Sequence, residues 1–321
     1  MQTLHTHRTQ PRTMRLVTQD TFGGPDVLHI AETPVPQPAA GEVLVAVAAR
    51  GVNPVDAAVR AGYFPLLGEP PFTVGWDIAG TVVAVDAAVT DLAIGDRVFG
   101  MPAYPRQAAG YADYVVARRE DLAPTPANLD DVHAAALPIA GLTAHAAILG
   151  TGVAGPGRRV LVQAAGGGVG HIAVQLAKAV GAHVVATASP RKVDFVTALG
   201  ADDVIDYTTG DWTTIDRVDL AVDPYAGENL HRTIGVVRDS GTVATLIGEA
   251  DDDARAAAAE RRITIDRVNV RPNADALGHL VSLVEEGRLA PHVSATFSLE
   301  QAGEAHRQFE KGVQGKVVLV S

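Results

Sequence analysis

The chain contains no cysteine. That absence excludes disulfides, thiolate nucleophiles, iron–sulfur clusters and every zinc site built on sulfur. It also lacks a basic run. The formal net charge is −11 over 321 residues, the wrong sign for a surface that holds phosphate backbones or anionic lipid headgroups. Neither a nucleic-acid nor a membrane partner is therefore expected. Glycine, proline or charge interrupts every apolar stretch before it reaches about 18 residues, so no bilayer-spanning helix is expected. The opening MQTLHTHRTQPRT has no apolar centre and does not read as a secretory signal. Residues 1–13 are expected to form a flexible tail, with the folded part starting at Met14, and the whole reads as a soluble cytoplasmic protein. What is present is ordinary globular composition, 47% hydrophobic and 20% charged, at a length that suits about two domains.

Three textures follow one another. From Met14 to about Val132 the apolar runs are short and bounded by glycine or proline, as in EVLVAVAARGV (42–52), IAGTVVAVD (78–86) and GYADYVVA (110–117). This pattern predicts a compact β domain with tight turns. From about Asp131 to Arg271, runs that are apolar on both faces alternate with helical segments. RRVLVQA (158–164), HVVATA (183–188), DVIDY (203–207), VDLAVD (218–223), TVATLIG (242–248) and ITIDRVNV (263–270) read as strands of a doubly wound parallel sheet. From Pro272 onward come two helices, 275–287 and 299–312, and a closing strand, GKVVLVS (315–321). That piece is short for a domain of its own, so 273–321 is expected to rejoin 14–132, with 133–272 as the inserted nucleotide-binding domain.

The strongest chemical signal is VLVQAAGGGVGHIAVQLAKAVGAHVVATAS, a strand, a glycine turn, a helix and a second strand. Gly166, Gly167 and Gly168 let backbone approach a pyrophosphate. Gly170 lets the helix pack hard on the strand, and the N–H groups around Val169 face the phosphates with the positive end of the helix dipole. The spacing is A-x-x-G-x-x-G rather than strict G-x-G-x-x-G, but the strand–turn–helix context supports dinucleotide binding over an ordinary tight turn. An NAD site usually ends its second strand in an acid that binds the ribose 2′-hydroxyl. Here that place reads Thr187-Ala188-Ser189-Pro190-Arg191-Lys192. With no acid to repel a 2′-phosphate, and with Ser189, Arg191 and Lys192 to hold one, the sequence favours NADPH. The plainer reading makes the two cations solvated residues of the next helix.

Together with these motifs, GVNPVDAAVRAGYFP (51–65), VGWDIAGTVVAVDAAVTDLAIGDRVFG (74–100), LPIAGLTAHAAI (137–148) and GKVVLV (315–320) carry a family likeness. The chain resembles the medium-chain dehydrogenase/reductase superfamily in its zinc-free quinone oxidoreductase, ζ-crystallin-like branch, over nearly all of its length. The resemblance implies an α/β fold in which a GroES-like β-barrel catalytic domain is joined to a doubly wound Rossmann nucleotide-binding domain, with the active site between them. It also implies a homodimer formed along the strand at 263–270. Asn53 stands where the zinc-dependent branch has a catalytic cysteine, and Trp76-Asp77 where it has a His-Glu pair. Without a metal to polarise an alkoxide, what remains is hydride transfer to an acceptor that takes it readily, a quinone or an α,β-unsaturated carbonyl.

The resemblance also implies site residues. Asn53, with Pro54, is placed near the nicotinamide or the acceptor carbonyl, or else simply initiates a turn. Asp56 reads as a helix N-terminal residue. Tyr63 is either an oxyanion donor or a packing aromatic. Thr143 resembles a nicotinamide-side hydroxyl, although a helical threonine also bonds its own backbone. Tyr207 resembles a residue flanking the adenosine phosphate. Ile247 and Gly248, and Val270 and Arg271, are expected to pass the nicotinamide as backbone, and Lys316 to close the cleft. Tyr111 and Tyr114 are assigned to the barrel. The loops 61–72 and 101–110 are expected to line the acceptor pocket. Two alternatives stay open: an enoyl or alkenal reductase using Tyr63 as proton donor, and an NADPH-binding sensor or structural protein with little turnover.

Overall fold

A computed structural model describes residues 11–321. Most of the expected tail lies outside that range, and Thr13 already begins the first strand. Strands β1 (Thr13–Thr18) and β2 (His29–Pro34) pair as an antiparallel ribbon. β3 (Glu42–Gly51) is apolar enough to be buried along most of its length and leads into helix α1 (Pro54–Ala61). Pro54 suits a first helical turn and Gly62, at φ +83°, ends it. β4 (Asp77–Val85), β5 (Arg97–Gly100), β6 (Tyr114–Arg118) and β7 (Leu122–Pro124) complete this part of the sheet, with β3 between β4 and β6.

Two short helices follow, α2 (Asp131–Ala134) and α3 (Pro138–His145). Pro138 separates them, as its missing N–H requires. The described α3 is buried from Pro138 to Ala144.

The parallel part alternates β8 (Arg159–Val162), α4 (Gly170–Ala179), β9 (His183–Ala188), α5 (Val193–Ala198), β10 (Asp203–Asp206), β11 (Val218–Asp223), α6 (Gly227–Val236), β12 (Val237–Thr245), α7 (Asp252–Glu260) and β13 (Thr264–Arg267). Its strand order is β10-β9-β8-β11-β12-β13, all parallel. The chain reverses direction across the sheet between β8 and β11, which is where a doubly wound sheet opens a ligand crevice at its carboxyl edge. The largest differences from the expected strand boundaries fall on β12 and β13. β12 starts at Val237 rather than 242, and β13 is four residues long rather than 263–270.

After α8 (Ala274–Glu285), β14 (Val293–Ser298), α9 (Ala302–Glu310) and β15 (Lys316–Val320), the chain has returned to the first sheet: β14 pairs with β15, and β15 with β3. The sequence pattern missed β14, whose VSATFS has half-polar faces and little apolar signal. A single apolar cluster runs through both sheets, joining Trp76 and Phe99 to Ile172, Leu220 and Leu280.

Candidate active site

The glycine turn sits at the switch point, between β8 and α4. Gly170 is obligatory there: a Cβ would lie 2.3 Å from the Ala164 carbonyl oxygen and 2.7 Å from the Ala165 Cα. The helix is thereby pressed onto the strand end. The backbone N–H groups of Gly168, Val169 and Gly170 have no acceptor among the described residues. Three unpaired donors at the start of a ten-residue helix make an anion site. His171 braces the turn. Its Nε2 accepts from the His292 N–H at 3.1 Å, so the Nδ1–H donates to the Gly167 carbonyl at 2.9 Å. Burial pushes the His171 imidazole down to about 4, which keeps it neutral.

The turn before β15 crosses this loop. The Gly315 N–H donates to the Gly166 carbonyl at 3.1 Å, and the Lys192 ammonium donates to the Val313 carbonyl. Lys192 is packed so closely that a Cβ at Gly166 would meet its Cδ at 2.7 Å. This corrects the expectation for Lys192: its charge is spent on a backbone carbonyl. Arg191, by contrast, is exposed and has no ion-pair partner among the described residues. Ser189 is half-buried beside it. Tyr207 and Tyr225 are about half exposed, and the Tyr207 N–H donates to the Ala188 carbonyl at 3.2 Å. Tyr207 thus stands at the end of β9, whereas Tyr225, which the sequence did not signal, follows β11.

Lys316 then runs past Gly168, its Cδ 3.2 Å from where a Cβ would stand, and reaches the β sheet. Its ammonium donates to Asn53 Oδ1 and lies 3.3 Å from Asp77 Oδ2. Asn53 Nδ2 donates to Asp77 Oδ2 at 2.8 Å, and the Ile139 N–H donates to Asp77 Oδ1 at 2.8 Å. All three side chains are buried. The Asn53 amide is engaged at both ends, its Nδ2 also facing the Gly51 carbonyl at 3.4 Å. One N–H of Lys316 is left, since an ammonium carries three donors and two have acceptors here. Asp56 stands at the start of α1 with its Oδ2 accepting the Asn53 N–H at 2.8 Å, as its helix-start position suggests. It is also wholly buried, and burial, with Asp77 adding repulsion, pushes its carboxyl up to about 7.

Other expectations are corrected. Tyr63 is 88% exposed and its hydroxyl has no partner among the described residues, so no contact holds it as an oxyanion or proton donor. Thr143 Oγ1 donates to the Ile139 carbonyl at 2.6 Å, so it bonds its own helix. Tyr111, assigned to the barrel, sends its hydroxyl to Asp56 and His306. Ile247 and Gly248, expected to pass the nicotinamide as backbone, follow β12 with Ile247 exposed and Gly248 at φ +68°, which does not bear against that expectation.

A cleft of about 730 Å³ lies between the loop at 103–106 and the connection at 271–275, with Tyr104, Arg106 and Arg271 among its walls. It is lined by the expected 101–110 loop but not by 61–72. Tyr104 stands edge-on to Trp76 with centroids 5.5 Å apart, which joins the cleft to the residue before Asp77.

This arrangement has known counterparts. The family described as "Alcohol dehydrogenase GroES-like domain" matches residues 39–127, and the one described as "Zinc-binding dehydrogenase" matches 199–319. A chloroplastic NADPH-dependent alkenal/one oxidoreductase of Arabidopsis thaliana is 33% identical over 96% of this chain and 80% of its own. The chain belongs to the quinone oxidoreductase branch of the medium-chain dehydrogenase/reductase superfamily. Among solved structures, the quinone oxidoreductase from Coxiella burnetii superposes with a TM-score of 0.91 at 32% identity, covering 96% of this chain and 99% of that one. The Escherichia coli quinone oxidoreductase complexed with NADPH superposes at 0.87 and 26% identity, over 96% and 100%.

Proposed function

We propose that this chain is an NADPH-dependent, zinc-independent oxidoreductase that passes hydride to a quinone or an α,β-unsaturated carbonyl. The carrying observation is the trio of unpaired N–H groups at Gly168, Val169 and Gly170, set where the six-stranded sheet opens its crevice. NADPH, when bound, supplies the hydride. The chain supplies the rest: the turn holds a pyrophosphate, and Arg191 stands free to pair with a 2′-phosphate. Asn53, Asp77 and Lys316 form a dry polar wall with one unspent ammonium donor. Strong positioning in a water-poor cleft is enough for an acceptor of this reactivity.

The donor set does not fit a zinc ion. Asn53 offers an amide already bound to Lys316 and Asp77. Trp76 offers an indole N–H that donates to the Arg106 carbonyl at 2.7 Å. The decisive assay is NADPH oxidation with a quinone and with an enone in the presence of EDTA. Turnover that depends on acceptor and ignores the chelator is expected. Loss of turnover with EDTA and its return with zinc sinks the metal-free part, and no acceptor-dependent oxidation sinks the reductase itself.

To the same proposal belong homodimerisation and cytoplasmic residence, without nucleic-acid or membrane partners. Supporting them are the open edge of β13 at the end of the sheet, the acidic net charge, and the lack, among the described residues, of a helix long and apolar enough to cross a membrane. A monomeric mass by sedimentation refutes the dimer.

A further inference from the structure

We infer that Arg60, His306 and Tyr111 form a one-way hydrogen-bond chain that positions Asp56 and, through it, the Asn53–Lys316 contact; this rests on the reductase reading above. The chain begins at the surface. Glu310, partly exposed, accepts from Arg60 Nη2 at 2.8 Å. Arg60, on α1, also meets His306 Nδ1 at 2.9 Å. A guanidinium has donors and no acceptor, so His306 Nδ1 must accept. The single proton of the neutral ring therefore sits on Nε2. Burial, with the Arg60 charge adding to it, pushes that imidazole down to about 3, so it stays neutral. His306 Nε2 lies 3.1 Å from the Tyr111 hydroxyl, which must accept that proton's hydrogen bond. The Tyr111 hydrogen is then left to point at Asp56 Oδ2, 3.2 Å away. Every donor direction is decided by the one before it.

The chain cannot carry protons inward. Its outer link donates hydrogen bonds but gives up no proton: once His306 lost its Nε2 proton, a replacement at Nδ1 would have to come from the Arg60 guanidinium, which stays protonated. What it transmits is orientation. Asp56 Oδ2 collects two donors, the Tyr111 hydroxyl and the Asn53 N–H, while Oδ1 is buried and has no partner among the described residues. A proton on Asp56 can thus sit only on Oδ1. The ionised form grips the Asn53 N–H with a charge-assisted bond, and protonation loosens it. The charged and titratable groups facing Asp56 are Asp77 from β4, Lys316 from β15, Tyr104 and Tyr111 from the loop before β6, His306 from α9 and Arg60 from its own helix. His306 is separated from Arg60 by 246 residues of sequence, and neither its helix nor its neighbours mark it as part of a site.

Two readouts test this on the whole protein. Infrared difference spectra across pH follow the carboxyl stretch of Asp56, assigned by its loss in Asp56→Asn. The pH profile of kcat/KM for quinone reduction follows its effect on turnover. Tyr111→Phe removes one donor from the ionised carboxylate, so both midpoints move up by about one pH unit. His306→Phe keeps the ring that packs edge-on to Tyr111 but leaves the Tyr111 hydroxyl without the bond that aims it, so both midpoints move in the same direction by a smaller amount. His306→Gln, which keeps one acceptor and one donor, leaves both near the wild-type value. The inference falls if Tyr111→Phe and His306→Phe move neither midpoint. Its positioning half falls if the infrared midpoint moves and the kinetic one does not. A wild-type protein that reduces no acceptor sinks the reductase reading and the kinetic half with it, while the infrared midpoints still decide whether the chain exists.

Discussion

The ammonium of Lys316 lies 3.3 Å from Asp77 Oδ2, with the two side chains 4% and 0% exposed. This pair joins the last strand to β4 and is the only charge compensation that Asp77 receives from a cation among the described ion pairs. Removing one partner strands a buried charge. Lys316→Met is therefore expected to cost about 3–5 kcal/mol in urea unfolding, and the double change Lys316→Met with Asp77→Asn to recover much of it. Equal losses in the single and double variants contradict the pairing.

Gly170→Ala places a methyl group 2.3 Å from the Ala164 carbonyl oxygen. Backbone must move, and the trio of free N–H groups moves with it. The variant is expected to lose about 1–3 kcal/mol of stability and to bind 2′,5′-ADP at least about tenfold more weakly by calorimetry. Wild-type affinity in the variant refutes the anion-site geometry.

Arg191 and Lys192 are adjacent in sequence but are expected to separate in function. Arg191→Ala should raise the KM for NADPH relative to NADH by about tenfold or more, the scale of one charge-assisted phosphate contact. Lys192→Ala should lower the melting temperature instead, because its ammonium holds the Val313 carbonyl. A cofactor preference unchanged in Arg191→Ala overturns the assignment.

Stability should depend on pH in two opposed ways. Asp56 is raised from 3.8 to about 7, so between those values the native state holds a proton the unfolded chain has released. Stability falls as pH rises through that window, by an amount on the order of a few kcal/mol, and Asp56→Asn should flatten the fall. His306 and His171 are lowered from 6.5 to about 3 and about 4. There the unfolded state takes protons that the native state refuses, so stability is lost as pH falls below about 6.5. Denaturant midpoints measured across pH in wild type and Asp56→Asn decide both slopes.

Local pattern carried much of this protein. Alternating apolar runs and helical segments are readable because burial on both faces needs nothing but neighbours in sequence, and they predicted the parallel sheet. The glycine turn is legible for the same reason: Ala164, Gly167 and Gly170 lie within one short segment. So is the missing acid after β9, and so is the missing cysteine. The β14 strand escaped because its faces are half polar.

Tertiary structure alone decided which side chains meet. Asn53 and Lys316 are 263 residues apart, and Tyr111 and His306 are 195 apart. No periodicity encodes such contacts. Only the return of β15 to β3 brings Lys316 to Asn53, and only the packing of α9 brings His306 to Arg60. The same folding turned Lys192 toward a carbonyl and left Tyr63 in solvent. A residue's type sets what chemistry it can do, but its dielectric surroundings and its partners set what it does, and those belong to the fold.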